Sequence, residues 1–459
     1  MTGNGSEPNS HKLYVERQHF LEVQDVMENL LKLLLFAILF VSRGNCGSID
    51  HVNQTTVLLS MSGEIDQRFF ARATGNNTSL LVWHSDSSKL ELTTNNSLEA
   101  LSVMEAPKLD KVVLYPNMQL KHLILRFCLL DGLAMSLYNL RALRVLKLEI
   151  CRLNGTFNLA ELLPLGNLTT FSLEGNKLQE IVHQADGSVD QTEPSSALRI
   201  LDLSSNIIEH FYLDVLGAFP VLSELLLRRN KLVSFAGSIS LQKLGMLSVS
   251  YNLLTELDLS GCNCSSLLNV YVEYNRLRTF PVFGDRISGI EALNLNNNQL
   301  RAFNTVELRK QQHLKTLIMS NNVLKSFHDE NGNETAVELP ALEFLELLNN
   351  PIESLDLGGW QLPALKTLRV MNNSLVMIPD DLWQRYPQLA NMFCFCPNIP
   401  CEWIQRHVDH IRSGRIEMSV AREGPMQVGK GYRCVTVPYV GCVRCPFRRK
   451  EDETTNSAH

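Results

Sequence analysis

The sequence has little net charge, few cysteines and no long apolar run, and each shortage removes a class of function. Forty-two Lys and Arg stand against 48 Asp and Glu in 459 residues. The resulting charge of -6 leaves no basic footprint for nucleic acid or for an anionic membrane surface. Eleven cysteines are too sparse for a disulfide miniprotein, so their positions carry the information. There is no G-x-S-x-G elbow, phosphate loop or H-E-x-x-H helix, and the twelve histidines are scattered. The reading therefore has no catalytic residues, no cofactor and no resident metal.

The longest apolar run, 30–41, is broken by Lys32. At ~1.5 Å per residue it falls short of the ~30 Å hydrocarbon core, and it suits the centre of a signal peptide. Ser42, Gly44 and Gly47 follow, which puts cleavage between Arg43 and Gly47. Glu7, Glu16, Glu22 and Asp25 outnumber Lys12 and Arg17 ahead of it, whereas a start at Met27 gives an ordinary leader. Residues 1–46 are read as a leader with an upstream extension, and 448–459 as a polar tail. The mature chain is then secreted and carries no transmembrane anchor.

A fixed period accounts for most of the rest. From Leu120 the pattern L-x-x-L-x-L-x-x-N/C-x-L passes through Leu123, Leu125, Cys128 and Leu130. It returns at Leu143, Leu168, Leu198, Leu222, Leu244, Leu267, Ile290, Leu314, Leu342 and Leu365, giving eleven copies over 120–388 with most spacings between 22 and 25. Asparagine holds one column at Asn176, Asn206, Asn230, Asn252, Asn275, Asn298, Asn322, Asn350 and Asn373, and Cys128 and Cys151 hold it in the first two copies. Thirteen residues into each copy stands an apolar residue: Leu133, Ile181, Phe211, Phe235, Leu257, Phe280, Phe303, Phe327, Leu355 and Ile378. Only the second copy departs, with Thr156 beside Phe157. One strand and one return segment per coil, stacked so that neighbours bury each other's leucines, satisfy this pattern. Side-chain amides in the asparagine column can serve backbone groups that the stack removes from water, and the two cysteines read as structural thiols there.

These residues resemble the leucine-rich repeat family, and the period near 24 with asparagine resembles its extracellular subclass. The resemblance implies an α/β solenoid, a horseshoe with a parallel sheet on its concave side and a cysteine-containing C-terminal cap. Residues 47–119 carry weaker echoes at Leu80, Trp83, Leu90, Leu98, Leu101 and Val103, read as degenerate repeats with an N-terminal cap. The phase predicts a twelfth strand at Leu389, Met392 and Cys394, opening a cap over 389–447. Asn398-Ile399-Pro400-Cys401-Glu402-Trp403-Ile404 resembles the start of such a cap, where a short helix covers the last coil and cysteines tie it down. Cys394, Cys396, Cys401, Cys434, Cys442 and Cys445 are its expected disulfide cysteines, among fifteen possible connectivities. Cys442 and Cys445 with His407 and His410 also suit zinc, the alternative in a reducing compartment. Cys262 and Cys264 either pair with each other or cross-link a second chain, leaving a disulfide-linked dimer open.

On each strand the residues between the inward leucines face outward. They include Leu226, Arg228, Met246, Tyr251, Tyr271 and Tyr274 near the middle, and Ile318, Phe344, Leu348 and Met371 toward the C-terminal end. Aromatics, methionine and arginine are enriched at protein interfaces, so these are the candidate partner-binding residues. Eleven strands at ~4.8 Å spacing and ~17 Å length give roughly 850 Å² of face, one partner's share of a standard interface.

Acceptor triplets for N-glycans occur at Asn53, Asn76, Asn77, Asn95, Asn154, Asn167, Asn263, Asn333 and Asn372. Two long copies carry polar loops at 186–194 and 328–334. The leader, the cap and the opening Pro116-Asn117-Met118-Gln119-Leu120 are similar to mosquito leucine-rich immune proteins, in a form without their helical coiled coil. That resemblance implies innate immunity and a protein or microbial-surface partner. A matrix or adhesive protein and an intracellular adaptor are the other readings.

Overall fold

The computed structural model describes residues 50–446, apart from 53–54, 59, 61–62, 74–76, 95–96, 131–138, 185–195, 328–335, 356, 358, 419 and 422–431. The expected leader, Met27, Cys46, Leu133, both polar loops and the tail lie outside the described residues. The chain divides into two compact units at residue 50, and all described residues but Asp50 belong to the second.

The main element is a seventeen-stranded sheet. From Thr55–Leu58 to Ile416–Met418, each strand pairs in parallel with the strand of the next coil. The sheet takes in Ser79–His84 and Ala100–Glu105 from the less regular stretch, and Asn391–Cys394 from the phase-predicted twelfth strand. Period-two alternation decides which side chains turn inward. One inward file runs in register through Leu123, Leu146, Phe171, Leu201, Leu225, Leu247 and Val270, and on through Leu293, Leu317, Leu345, Leu368, Met392 and Ile416. All are buried. A buried leucine contributes about 1.5–3 kcal/mol. A lone coil would expose this face on both sides while ordering its backbone at roughly 1–2 kcal/mol per residue, so the coils are stable only as a stack.

The asparagine column is a hydrogen-bonded ladder. Asn230 Nδ2 donates to the carbonyl of Leu203 in the preceding coil (3.0 Å) and to that of Leu227 in its own (3.1 Å), while its Oδ1 accepts from the Ile208 N–H (3.1 Å). Asn252 repeats the arrangement on Leu227, Val249 and Leu232, so each such carbonyl is shared by two rungs. In the same column the Cys151 thiol donates to the Leu125 and Glu149 carbonyls. Cys128 is buried against it, and contact with Cys151 followed by burial pushes the Cys128 thiol well above its ordinary range.

The apolar column fills the return side, with Phe211 stacked on Phe235 (5.8 Å) and Phe303 on Phe327 (5.5 Å). At the second copy Phe157, one residue late, pairs in register with Ile181 and is buried, whereas Thr156 is exposed. Gly155 holds φ +74, and the register shifts between Leu178 and Glu180, where the pairing skips Gln179 of the third copy. Among the described residues helix is scarce. The longest, Gln67–Ala73, has seven residues.

At the C-terminal end the helices Cys401–Arg406 and Val408–Arg412 bury Trp403, Ile404 and Ile411. Cys401 is joined to Cys445 and Cys434 to Cys442, the latter across the antiparallel pair Tyr432–Val437 and Gly441–Pro446. Cys394 is joined to Cys396, and Cys262 to Cys264. Cys442 and Cys445 are thus occupied and offer no thiolate to zinc. Cys262 and Cys264, joined to each other and buried, offer no thiol for a cross-link to a second chain. No helix among the described residues is long and apolar enough to cross a membrane.

Candidate recognition surface

Outward positions of successive strands form columns across the sheet, and a parallel register sets which columns meet. Tyr271, Asn294 and Ile318 lie side by side in one column. The strand Ala292–Asn294, with Ala292 and Asn294 outward, therefore separates the candidate residues into two groups.

In the middle group Leu226, Met246 and Tyr271 lie on the strands, all half-buried. Arg228, Tyr251 and Tyr274 lie just past strand ends. Tyr251 and Tyr274 hold φ of 55° and 57°, the left-handed conformation that costs a residue bearing a Cβ roughly 1–2 kcal/mol. Their rings stack at 4.3 Å with 8° between planes, and the Arg229 guanidinium sits over the Tyr251 ring at 5.4 Å. Burial, then the charge of Glu273, raises the Tyr271 hydroxyl above its ordinary pKa.

In the C-terminal group Ile318 and Phe344 stand on neighbouring strands, and Leu348 and Met371 follow theirs. Two residues that sequence reading passed over complete it. The Arg369 guanidinium lies 5.2 Å from the Phe344 ring and 5.2 Å from the Phe393 ring, clamped between two aromatic faces. Its Nη1 donates to Glu346 Oε2 at 3.2 Å, and Ser320 Oγ donates to Glu346 Oε1 at 2.9 Å. The Glu346 carboxylate is 4 % exposed, so Arg369 supplies the charge that makes its burial tolerable. Register would have revealed both residues, since Ile318, Glu346, Arg369 and Phe393 fill one column.

Nearer the N-terminal end the face is polar. Arg126 (3.8 Å) and Lys147 (3.4 Å) flank the buried Glu149, which accepts from Ser172 Oγ at 3.2 Å. Glu174 and Asp202 beside it have carboxyls held above their ordinary pKa, chiefly by burial; the neighbouring carboxylates add to it. Among the described residues no group of three or more His, Cys, Asp or Glu side chains is placed to hold a metal ion.

No family model matches the chain. Over 228 residues it is 27% identical to Toll-like receptor 2 of Ovis aries, a match covering 47% of this chain and 26% of the receptor. The chain thus spans about a quarter of the length of that curated relative. Among solved structures, the LRIM1/APL1C complex aligns with a TM-score of 0.56 at 18% identity, covering 88% of this chain and 71% of that one. The APL1 leucine-rich repeat domain aligns at 0.54 and 16% identity, covering 85% and 97%. The corresponding domain of APL1B aligns at 0.54 and 20% identity, covering 71% and 86%. At these identities the likeness is one of fold. With the eleven-copy period and the asparagine ladder, it shows a leucine-rich repeat solenoid similar in fold to the LRIM1/APL1C and APL1 structures.

Proposed function

We propose that the chain is a secreted recognition protein of innate immunity, which binds a protein or microbial-surface partner through the C-terminal half of its concave sheet. One observation carries this reading. Ile318, Phe344, Leu348, Met371 and Phe393 form an apolar patch around a guanidinium that two rings hold in place. An arginine so fixed loses little further freedom on binding, and aromatic and arginine anchors dominate interface energetics. The paired cysteines support an oxidising compartment and weigh against an intracellular adaptor.

The test of compartment is an intact mass, with and without reductant and deglycosylation, of protein collected from the medium of expressing cells. A cleaved, disulfide-bonded species in the medium is expected. Reduced protein retained in the cytosol contradicts the reading.

A further inference from the structure

Five of the nine glycan acceptor triplets lie in the described residues, at Asn77, Asn154, Asn167, Asn263 and Asn372. Four of them stand clear of the outward columns. Asn77 precedes the Ser79–His84 strand, and Asn167 lies in the turn before Thr170–Ser172. Asn154 and Asn263 belong to small return-side pairings, with Lys177–Val182 and Ile239–Ser240 respectively.

Asn372 is different. It directly follows Met371 of the apolar patch, is exposed and holds φ +57. Its Nδ2 donates to Asn349 Oδ1 at 2.9 Å, and Asn349 Nδ2 donates to Asn321 Oδ1 at 2.7 Å, so it forms the last rung of a side-chain ladder along the rim. Asn321 and Asn349 are followed two residues on by Val323 and Pro351, whereas Asn372 is followed by the exposed Ser374. Of these three rungs only the terminal one fits the acceptor triplet.

We propose that Asn372 is an N-glycan acceptor, and that its sugar stands at the rim of the Phe344–Arg369–Met371 patch and restricts which partners reach it. The inference rests on the secreted reading. In the transfer, Asn372 Nδ2 bonds to C1 of an oligosaccharide carried on a lipid diphosphate. The C1–O bond to the diphosphate breaks, the lipid diphosphate leaves, and one amide proton passes to a base of the transferase. A primary amide has two N–H bonds, and the secondary amide product keeps one. The amide thus keeps one N–H as a donor for Asn349 Oδ1. The other four described acceptors leave the patch clear, so Asn372 alone among them couples glycosylation to access.

The experiment is glycopeptide mapping of the full chain secreted from eukaryotic cells, beside the variants Ser374→Ala and Ser374→Thr. Asn372 is expected to be occupied in the natural chain and in Ser374→Thr. Ser374→Ala should lose that one glycan and melt unchanged. Hydroxyl-radical labelling of Met371 should rise about twofold in Ser374→Ala, because the glycan is bulky and sits on the adjacent residue. Glycans at Asn154 or Asn167 with Asn372 bare overturn the proposal and leave the secreted reading intact. A chain secreted bare at every acceptor overturns the proposal alone, whereas a chain that never reaches the medium overturns both. Occupied Asn372 with equal Met371 labelling in Ser374→Ala overturns the shielding role.

Discussion

The ring of Tyr251 lies on that of Tyr274 at 4.3 Å, and both residues hold a left-handed backbone that asparagine adopts at less cost. The same rim column continues as Asn297, Asn321, Asn349 and Asn372, so the fold requires no aromatic there. Replacing both tyrosines with asparagine removes a stacking gain of about 1 kcal/mol and relieves a strain of similar size. Thermal unfolding should therefore change little. A loss above about 3 kcal/mol would make the pair a structural element, not a candidate contact.

The asparagine ladder makes a sharper prediction. Asn230→Ala removes an amide that serves two buried carbonyls and the Ile208 N–H. Urea unfolding should show a cost of about 3 kcal/mol, the range for several buried groups left unpaired. Asn230→Cys should cost less, since Cys151 donates to two carbonyls from the same column. Equal losses for the two variants would contradict the ladder account.

Arg369, half-buried, pairs with the buried Glu346 at 3.2 Å. Arg369→Met leaves the carboxylate without its counter-charge and should cost about 3 kcal/mol in stability, the range for breaking a buried pair. Adding Glu346→Gln should recover most of that loss. A double variant as unstable as the single one would show that ring packing, not charge, sets the effect.

Glu174 and Asp202 give a pH dependence of definite sign. Both carboxyls are raised in the folded chain, chiefly by burial, so the folded state binds protons more tightly than the unfolded state. Stability then falls as pH rises from the ordinary carboxylate range, about 4, through the raised folded values, and the cost is fully present above them. Glu174→Gln and Asp202→Asn should stabilise the protein at neutral pH, and the gain should vanish in acid. Denaturant midpoints across that range check it; a gain independent of pH would contradict it.

Much of this was legible in the sequence because a repeat writes the same physical demand many times. The inward leucines, the asparagine column and the strand at Met392 and Cys394 follow from the period alone. Phe157 did not, because the second copy carries one residue more between Leu153 and this column than the third does between Leu178 and Ile181, so a fixed period points to Thr156. Arg369 and Phe393 were passed over for a different reason. Arg369 becomes legible only through the register that sets it beside Glu346 and Phe393, and Phe393 falls in a stretch read as cap. Disulfide connectivity was open because spacing does not fix which cap cysteines meet, and the antiparallel pairing of Tyr432–Val437 with Gly441–Pro446 decides one bridge.

The central claim is recognition through the C-terminal concave patch, and site-specific photo-crosslinking tests it most directly. A benzophenone amino acid at Leu348, beside Phe344 and Met371, is compared with one at Gln384, exposed on the helix Leu382–Arg385. Each protein is incubated in extracellular fluid from the native source. The Leu348 probe should capture a discrete partner, saturably, and lose it when Phe344→Asp is added or unlabelled protein competes. Identical products from both positions, or capture that Phe344→Asp leaves unchanged, would contradict the account.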